Sequence, residues 1–135
     1  MSYRFMLDTN VISDVMREPN GKVAARLEAE GENTVCCSIV VACELRYGAA
    51  KAKSSKLEER VEAALSAIDV LPLDAPADEH YASIRDELTR AGSLIGANDL
   101  LIAAHALSQE LILVTDNLKE FRRVSELAVV NWRAA

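Results

Sequence analysis

Two stretches of the chain, RFMLD at residues 4–8 and LILVTD at residues 111–116, each carry an aspartate directly after a run of apolar residues. Short apolar runs of this kind predict strands that are buried in a sheet. If both strands are central and parallel, their carboxyl ends lie at the same edge, where open α/β sheets gather their functional sites. We therefore expect Asp8 and Asp116 at one edge of the predicted sheet.

The rest of the chain alternates between short apolar runs and longer segments with helical periodicity. Strands are predicted over residues 3–7, 34–37, 70–73, 111–115 and, at the sheet edge, 129–132. Helices are predicted over about residues 10–18, 21–30, 38–53, 57–68, 74–90 and 98–107, the third of them capped by Ser38. Such alternation is typical of an α/β fold with a mostly parallel central sheet.

Length and composition favour one intracellular domain. The chain has 135 residues, half of them hydrophobic, so we expect a single domain over residues 1–135. Its three cysteines, Cys36, Cys37 and Cys43, lie in one apolar stretch, which argues for core positions and a reducing compartment. No segment resembles a signal peptide or reaches the roughly 20 apolar residues that span a bilayer. The protein is therefore expected in the cytoplasm, without membrane contact.

The formal net charge of −6 is unusual for a protein that binds nucleic acid, because phosphate groups repel a negative surface. Two explanations are open. Either the protein avoids nucleic acid, or its acids are concentrated where bound cations reverse the local charge. Composition does not distinguish between them.

Glu44 is the carboxylate that fits a protein core least well. It interrupts the apolar run IVVACEL at residues 39–45, and helical spacing predicts that its side chain is partly sheltered. A sheltered carboxylate without a partner is costly. Its partner is either a metal ion or a neighbouring arginine, for which Arg46 and Arg26 are the candidates.

The other polar candidates also have structural interpretations. Asp8, Thr9 and Asn10 can cap the helix that follows them, and Asn98 with Asp99 can form an N-cap pair for another helix. The sequence NLKE at residues 117–120 fits a capping box, which favours a structural role for Asn117 and Glu120.

The two histidines, His80 and His105, have no partner at a diagnostic spacing and are interpreted as structural or surface residues. Because no set of Cys and His stands at metal-ligand spacing, a bound ion would have oxygen ligands, which favours Mg²⁺ or Mn²⁺ over zinc.

Convergence of several acids has an electrostatic consequence. Two carboxylates within about 4 Å repel by about 4 kcal/mol at an effective dielectric near 20. Such a cluster therefore needs either protonation or a bound cation. Cations held in this way polarise phosphodiesters and activate water, so phosphodiester hydrolysis is the predicted chemistry.

Four motifs follow one another along nearly the whole chain: MLDTNVIS at 6–13, SIVVACELRYGA at 38–49, GANDLLIAAHA at 96–106 and LVTDNLKEF at 113–121. In this order and spacing they resemble the PIN-domain family, and within it the VapC toxins of prokaryotic toxin–antitoxin pairs. The resemblance implies a three-layer α/β/α fold with a central, mostly parallel sheet. It also implies an endoribonuclease that depends on Mg²⁺ or Mn²⁺ and inhibits translation, forms a homodimer and is neutralised by a VapB-like antitoxin.

The same resemblance implies the site residues and the substrate. Four acids match the positions that bind the metal and catalyse: Asp8, Glu44, Asp99 and the more variable Asp116. Three residues match positions that support these acids or lie near them: Asn10, Thr115 and Glu120. The C-terminal motif, NLKEF at residues 117–121 followed by the basic pair Arg122 and Arg123 and by Trp132, is similar to that of toxins that cut tRNA in the anticodon region. This similarity makes tRNA the expected substrate class and initiator tRNA one candidate.

Two other functions are consistent with parts of the pattern. One is a catalytically silent PIN-like module that binds RNA or a protein, although all three core acids are present. The other is a phosphatase of the DxD type, for which LDTN supplies the first aspartate but has Asn10 in place of the second.

Overall fold

Five short parallel strands form the centre of the computed structural model, which describes residues 2–134. They are β1 (Phe5–Leu7), β2 (Val35–Ser38), β3 (Asp69–Leu71), β4 (Ile112–Val114) and β5 (Val129–Val130). Their order across the sheet is β3-β2-β1-β4-β5, and each neighbouring pair is parallel. The predicted parallel sheet is confirmed, including its short edge strand.

Seven helices connect the strands within the described part of the chain. They are α1 (Thr9–Arg17), α2 (Lys22–Glu30), α3 (Ile39–Ala52), α4 (Ser55–Ala67), α5 (Ala77–Arg90), α6 (Ala97–Ser108) and α7 (Leu118–Phe121). A single 3-10 turn, Glu32–Thr34, precedes β2. Helices α1 to α4 pack among themselves, and α5 packs on α6.

The strand order explains why the helices form two layers. From β1 to β3 the chain moves towards one edge of the sheet, and from β3 through β4 to β5 it moves towards the other. Right-handed crossovers in opposite directions place their helices on opposite faces. The expected three-layer α/β/α arrangement is confirmed.

The chain changes direction between the two central strands. It leaves β1 towards β2 and leaves β4 towards β5, which opens a crevice at the carboxyl ends of β1 and β4. In the register of this pair, Leu7 lies opposite Val114, so Asp8 and Thr115 follow at the same level. Both predicted strand-end aspartates, Asp8 and Asp116, therefore lie at this edge.

Local sequence accounts for the start of α3. The Ser38 hydroxyl accepts a hydrogen bond from the backbone N–H of Val40, as predicted for an N-cap. Among the cysteines, Cys36 and Cys37 are buried in β2, but Cys43 is exposed, so the prediction of a core position for Cys43 was wrong. Helix α3 buries Val41 and Leu45 on one face, and Cys43 lies between them on the other.

Among residues 2–134, no helix combines the length and the apolar character that crossing a membrane requires.

Candidate active site

Asp8 is a buried carboxylate at the carboxyl end of β1, with 4% of its surface exposed. Its Oδ1 accepts a hydrogen bond from the Thr9 backbone N–H at 2.8 Å. Its Oδ2 accepts from the Thr115 hydroxyl at 2.8 Å and from the Asn10 amide at 3.1 Å. Burial raises the pKa of Asp8, hydrogen bonds from Thr115 and Thr9 lower it, and the charge of Glu44 raises it. Asp8 therefore caps α1 and also lies close to the negative charge of Glu44.

Asn10 and Thr115 join the ends of the two central strands. The Asn10 amide also contacts the Thr115 hydroxyl at 3.3 Å, and its carbonyl oxygen accepts from the Asp116 N–H at 3.1 Å. Thr115 is fully buried and accepts from the Asn117 N–H at 3.0 Å. These contacts hold Asp8 and the backbone of Asp116 in a fixed relation.

Glu44 lies on α3 and is partly buried. Its Oε1 accepts from the Thr9 hydroxyl, and its Oε2 accepts from the Asn98 amide at 3.3 Å. The alternative of a salt bridge is not realised, because Arg26 pairs with Glu30 and Arg46 pairs with Glu62. The polar partners of Glu44 come instead from α1 and α6.

Thr9 and Asn98 were interpreted from sequence only as members of helix caps, and their contacts with Glu44 were missed. The one available signal was position, since each directly adjoins a predicted site acid.

Asp99 lies in the first turn of α6, close to Glu120. Burial, a hydrogen bond with Glu120, and the charges of Glu120, Asp8 and Glu44 raise the pKa of Asp99 to about 7. The backbone N–H of Gly96, which donates to Glu120 at 3.0 Å, lowers the pKa of Glu120. Because three acids act on Asp99, the structure brings Asp8, Glu44, Asp99 and Glu120 into one electrostatic cluster.

Glu120 corrects one prediction from the sequence. The capping box is not formed, because the Asn117 side chain makes no capping hydrogen bond and its amide donates to the Glu120 carboxylate at 2.6 Å. Glu120 is also held by the N–H of Gly96, which comes from a distant part of the chain. Glu120 therefore bridges the start of α7 and the loop before α6, and the tertiary contact with Gly96 brings it to the site.

Asp116 lies beside this cluster and is exposed. Its Oδ2 is 3.4 Å from Nη1 of Arg133, which makes it the acid of the predicted set with a basic partner. Among residues 2–134, no other salt bridge involves Asp8, Glu44, Asp99 or Asp116.

His105 is structural, as interpreted from sequence. It is buried in α6, and its Nδ1 lies 2.7 Å from the hydroxyl of Ser38, the residue that caps α3. The contact links the helix that carries Asp99 to the helix that carries Glu44.

The donor set suits a hard cation. Among the described residues, no three Asp, Glu, His or Cys side chains are grouped closely enough to hold an ion by direct contact alone. Mg²⁺ retains several water ligands and commonly takes one or two protein carboxylates, so it does not need such a group. Burial raises the pKa values of Asp8 and Asp99, and repulsion from the neighbouring acids raises them further; a divalent cation would relieve this repulsion. The residues present therefore fit Mg²⁺ or Mn²⁺.

Comparison with known proteins agrees with this arrangement, because residues 5–127 match the family model of the PIN domain. The chain belongs to the PIN-domain family. Among PIN-domain relatives, Ribonuclease VapC2 of Rickettsia felis is 35% identical over 130 residues, with 95% of this chain and 97% of the relative covered. The tRNA(fMet)-specific endonuclease VapC of Shigella flexneri is 41% identical over 133 residues, with 96% and 98% covered.

A solved PIN-domain structure shows the same fold. VapBC2 from Rickettsia felis, bound to a DNA fragment from its promoter, superposes with a TM-score of 0.90 at 34% identity. The match covers 98% of this chain and 99% of that one. The family resemblance carried by the four motifs is thus confirmed.

Proposed function

We propose that this PIN-domain chain is a Mg²⁺-dependent endoribonuclease that cuts tRNA, and that it is the toxin of a toxin–antitoxin pair. The observation that carries the proposal is the buried Asp8 carboxylate at the crevice between β1 and β4, under the charges of Glu44 and Asp99. Support comes from the names of two relatives, a ribonuclease and a tRNA(fMet)-specific endonuclease. Initiator tRNA is accordingly the first substrate to test.

Asp8, Glu44 and Asp99 would hold Mg²⁺, with Mn²⁺ as a substitute and Asp116 as the fourth acid. When bound, the cation would polarise the phosphodiester and lower the pKa of a water molecule. The surrounding residues position the acids. Thr115 and Asn10 orient Asp8, while Thr9 and Asn98 orient Glu44.

Glu120 has a different role in the proposed site. Its interaction with Asp99 favours a proton on that acid at neutral pH. In the absence of a cation, Asp99 and Glu120 therefore repel each other less than two ionised carboxylates would. Glu120 is a positioning residue, because it acts through Asp99.

The test compares the wild-type chain with Asp8→Asn on total RNA and on purified initiator tRNA, with Mg²⁺ or with a chelator. We expect cleavage by the wild type with Mg²⁺ alone, and a loss of at least about 100-fold in Asp8→Asn, because even a lost hydrogen-bond partner of a metal ligand costs about 10- to 100-fold. Mapping the cut ends identifies the substrate. Full metal-dependent cleavage by Asp8→Asn would disprove the site, and RNA binding without cleavage by the wild type would favour the silent module.

The proposed antitoxin partner is inferred from the negative charge of the site and from an apolar groove that leads towards it. VapC from Rickettsia felis was solved as a VapBC complex. In this chain, an apolar groove of about 330 Å³ runs between α1, α2 and α4, lined by Ile12, Val15, Leu27, Ala64 and Ile68 among others. Ile12 lies one turn beyond Asp8 on α1, so the groove leads towards the acidic site. We assign it to an apolar helix of a basic, VapB-like antitoxin.

Co-expression with a VapB-like protein tests this partner. Co-purification of a small basic protein, and inhibition of RNA cleavage by it, are expected. A chain that is harmless when expressed alone contradicts the toxin assignment. The homodimer implied by the family resemblance is also proposed, and light scattering of the purified chain tests it.

A further inference from the structure

The segment around Trp132 is firmly anchored against the rest of the molecule. Trp132 is 2% exposed and packs edge-to-face on Phe5, with ring centroids 5.2 Å apart. The guanidinium of Arg26 lies 5.3 Å from the Trp132 ring centroid. The Asn131 side chain accepts hydrogen bonds from the N–H groups of Arg133 and Ala134, at 2.8 and 3.3 Å. These contacts hold the backbone of Arg133 in a defined position.

The Arg133 guanidinium lies between two carboxylates. Its Nε is 3.5 Å from Oδ2 of Asp14, and its Nη1 is 3.4 Å from Oδ2 of Asp116. Asp14 is 8% exposed and belongs to α1, whose N-cap is Asp8. Neither Asp14 nor Arg133 belongs to the four sequence motifs. Their contacts place a positive charge at the rim of the acid cluster.

The Arg133 side chain retains capacity for another anion. It is 56% exposed. A guanidinium has five N–H donors in a rigid fork, and the two carboxylate contacts are made by Nε and Nη1, not by Nη2. Both contacts are longer than the 2.7–2.9 Å that is usual for a charge-assisted hydrogen bond, so neither carboxylate binds the guanidinium tightly. The free donors therefore remain available on the solvent side.

We infer that Arg133 binds a phosphate group of the RNA substrate at the rim of the carboxylate site, while Asp14 and Asp116 hold its guanidinium in place. A chain of net charge −6 must supply a local cation to accept a polyanion, and the planar fork of arginine matches phosphate geometry. The inference rests on the proposed ribonuclease function. It adds a substrate-binding residue outside the four motifs.

Arg17 provides a matched control. Its Nη2 lies 3.9 Å from the same Asp14 oxygen, and its side chain is 60% exposed. Unlike Arg133, it contacts none of the four predicted site acids. Removing either arginine takes one positive charge and one Asp14 contact from the protein. The two variants therefore differ in that only the loss of Arg133 also removes a charge beside Asp116.

The experiment measures RNA binding by fluorescence anisotropy in an Asp8→Asn background with Mg²⁺, at several salt concentrations, and cleavage kinetics in the wild-type background. Arg133→Gln keeps hydrogen-bond donors while losing the charge. We expect it to weaken binding about tenfold and to reduce the slope of log K against log salt by about 0.7 to 0.9, the loss of one phosphate contact. KM should rise more than kcat falls, and Arg133→Lys should restore the salt slope.

Arg17→Gln should leave the salt slope and KM unchanged, and thermal unfolding of all variants shows that they are folded. If the wild type cuts RNA but Arg133→Gln and Arg17→Gln behave alike, Arg133 does not bind phosphate. If the wild type neither binds nor cuts RNA, the proposed function fails, and this inference fails with it.

Discussion

At the residue scale, the candidate site depends on hydrogen bonds to carboxylates that would otherwise be too costly to bury. Asp8 accepts from one backbone N–H, one hydroxyl and one amide, which offsets part of its desolvation. The Thr115 hydroxyl is the most deeply buried of these donors. Each donor both stabilises the charge and restricts the orientation of the carboxylate.

Thr115→Val tests this restriction, because valine has a similar shape but no hydroxyl. We expect the Mg²⁺ concentration for half-maximal cleavage to rise 10- to 100-fold, as for other changes in the partners of metal ligands. Thr34→Val is the control, since the Thr34 hydroxyl bonds only to backbone carbonyls at the end of α2. Equal Mg²⁺ dependence in the two variants would count against a positioning role for Thr115.

The Asp99 carboxyl gives a second prediction at this scale. Without divalent cations, carbon NMR should show Asp99 titrating near the pKa of about 7 that burial and Glu120 impose. Glu120→Gln should lower that pKa, because it removes a negative charge beside Asp99. Asp86→Asn, at an exposed acid on α5, should leave it unchanged. A normal Asp99 pKa in the wild type would contradict the clustered arrangement.

At the element scale, the structure explains how helices far apart in sequence carry their acids to one edge. Helix α3 begins at the Ser38 cap directly after β2, and α6 lies against it through the buried contact between His105 and Ser38. Glu44 and Asp99 each lie six residues from this contact along their helices. The Ser38 hydroxyl thus serves both as a cap and as a link between helices.

This link predicts a pH-dependent stability. Burial lowers the pKa of His105, and Asp74 and the Pro72 carbonyl offset it only in part. The folded state therefore binds this proton less well than the unfolded state, whose histidine pKa is about 6.5. The stability from neutral His105 is complete above about pH 6.5 and is lost as the pH falls below that, by at most about 1.4 kcal/mol per pH unit.

Urea denaturation of the wild type and His105→Gln between pH 5 and 8 measures this loss. We expect the variant to be less stable at pH 8 and the difference to shrink below about pH 6.5. His80→Gln is the control for a histidine at a less buried position. A difference that stays constant with pH would show that His105 does not titrate on unfolding.

At the scale of the whole molecule, the negative net charge and the nuclease proposal become compatible. Four acids lie in one cluster at the crevice, where a divalent cation would neutralise much of the local negative charge. Arg133 adds a fixed positive charge at its rim. The remaining negative surface suits a basic antitoxin, because complementary charge speeds association.

The groove assigned to the antitoxin can be tested by one pair of substitutions on α4. Ala67→Glu places a charge in the groove, whereas Ala63→Glu places the same charge at an exposed position that does not line it. We expect Ala67→Glu to weaken antitoxin binding at least tenfold in calorimetry and to leave RNA cleavage unchanged. If both variants bind the antitoxin as the wild type does, the partner uses another surface.

Sequence alone determined the strands, most helix positions and the parallel sheet, because these depend on local periodicity and on caps. Motifs of continuous residues also predicted four site acids, Asp8, Glu44, Asp99 and Asp116. Only tertiary structure decided the partners of those acids. Thr9 and Asn98 meet at Glu44, and Glu120 accepts from the Gly96 N–H in place of the expected capping bond, because contacts between distant segments outweigh local hydrogen-bonding preferences. The two strand-end aspartates also differ for this reason. Asp8 is buried and bonded to Thr115, the residue that follows β4, whereas Asp116 faces solvent and Arg133. Neither RFMLD nor LILVTD by itself indicates this difference.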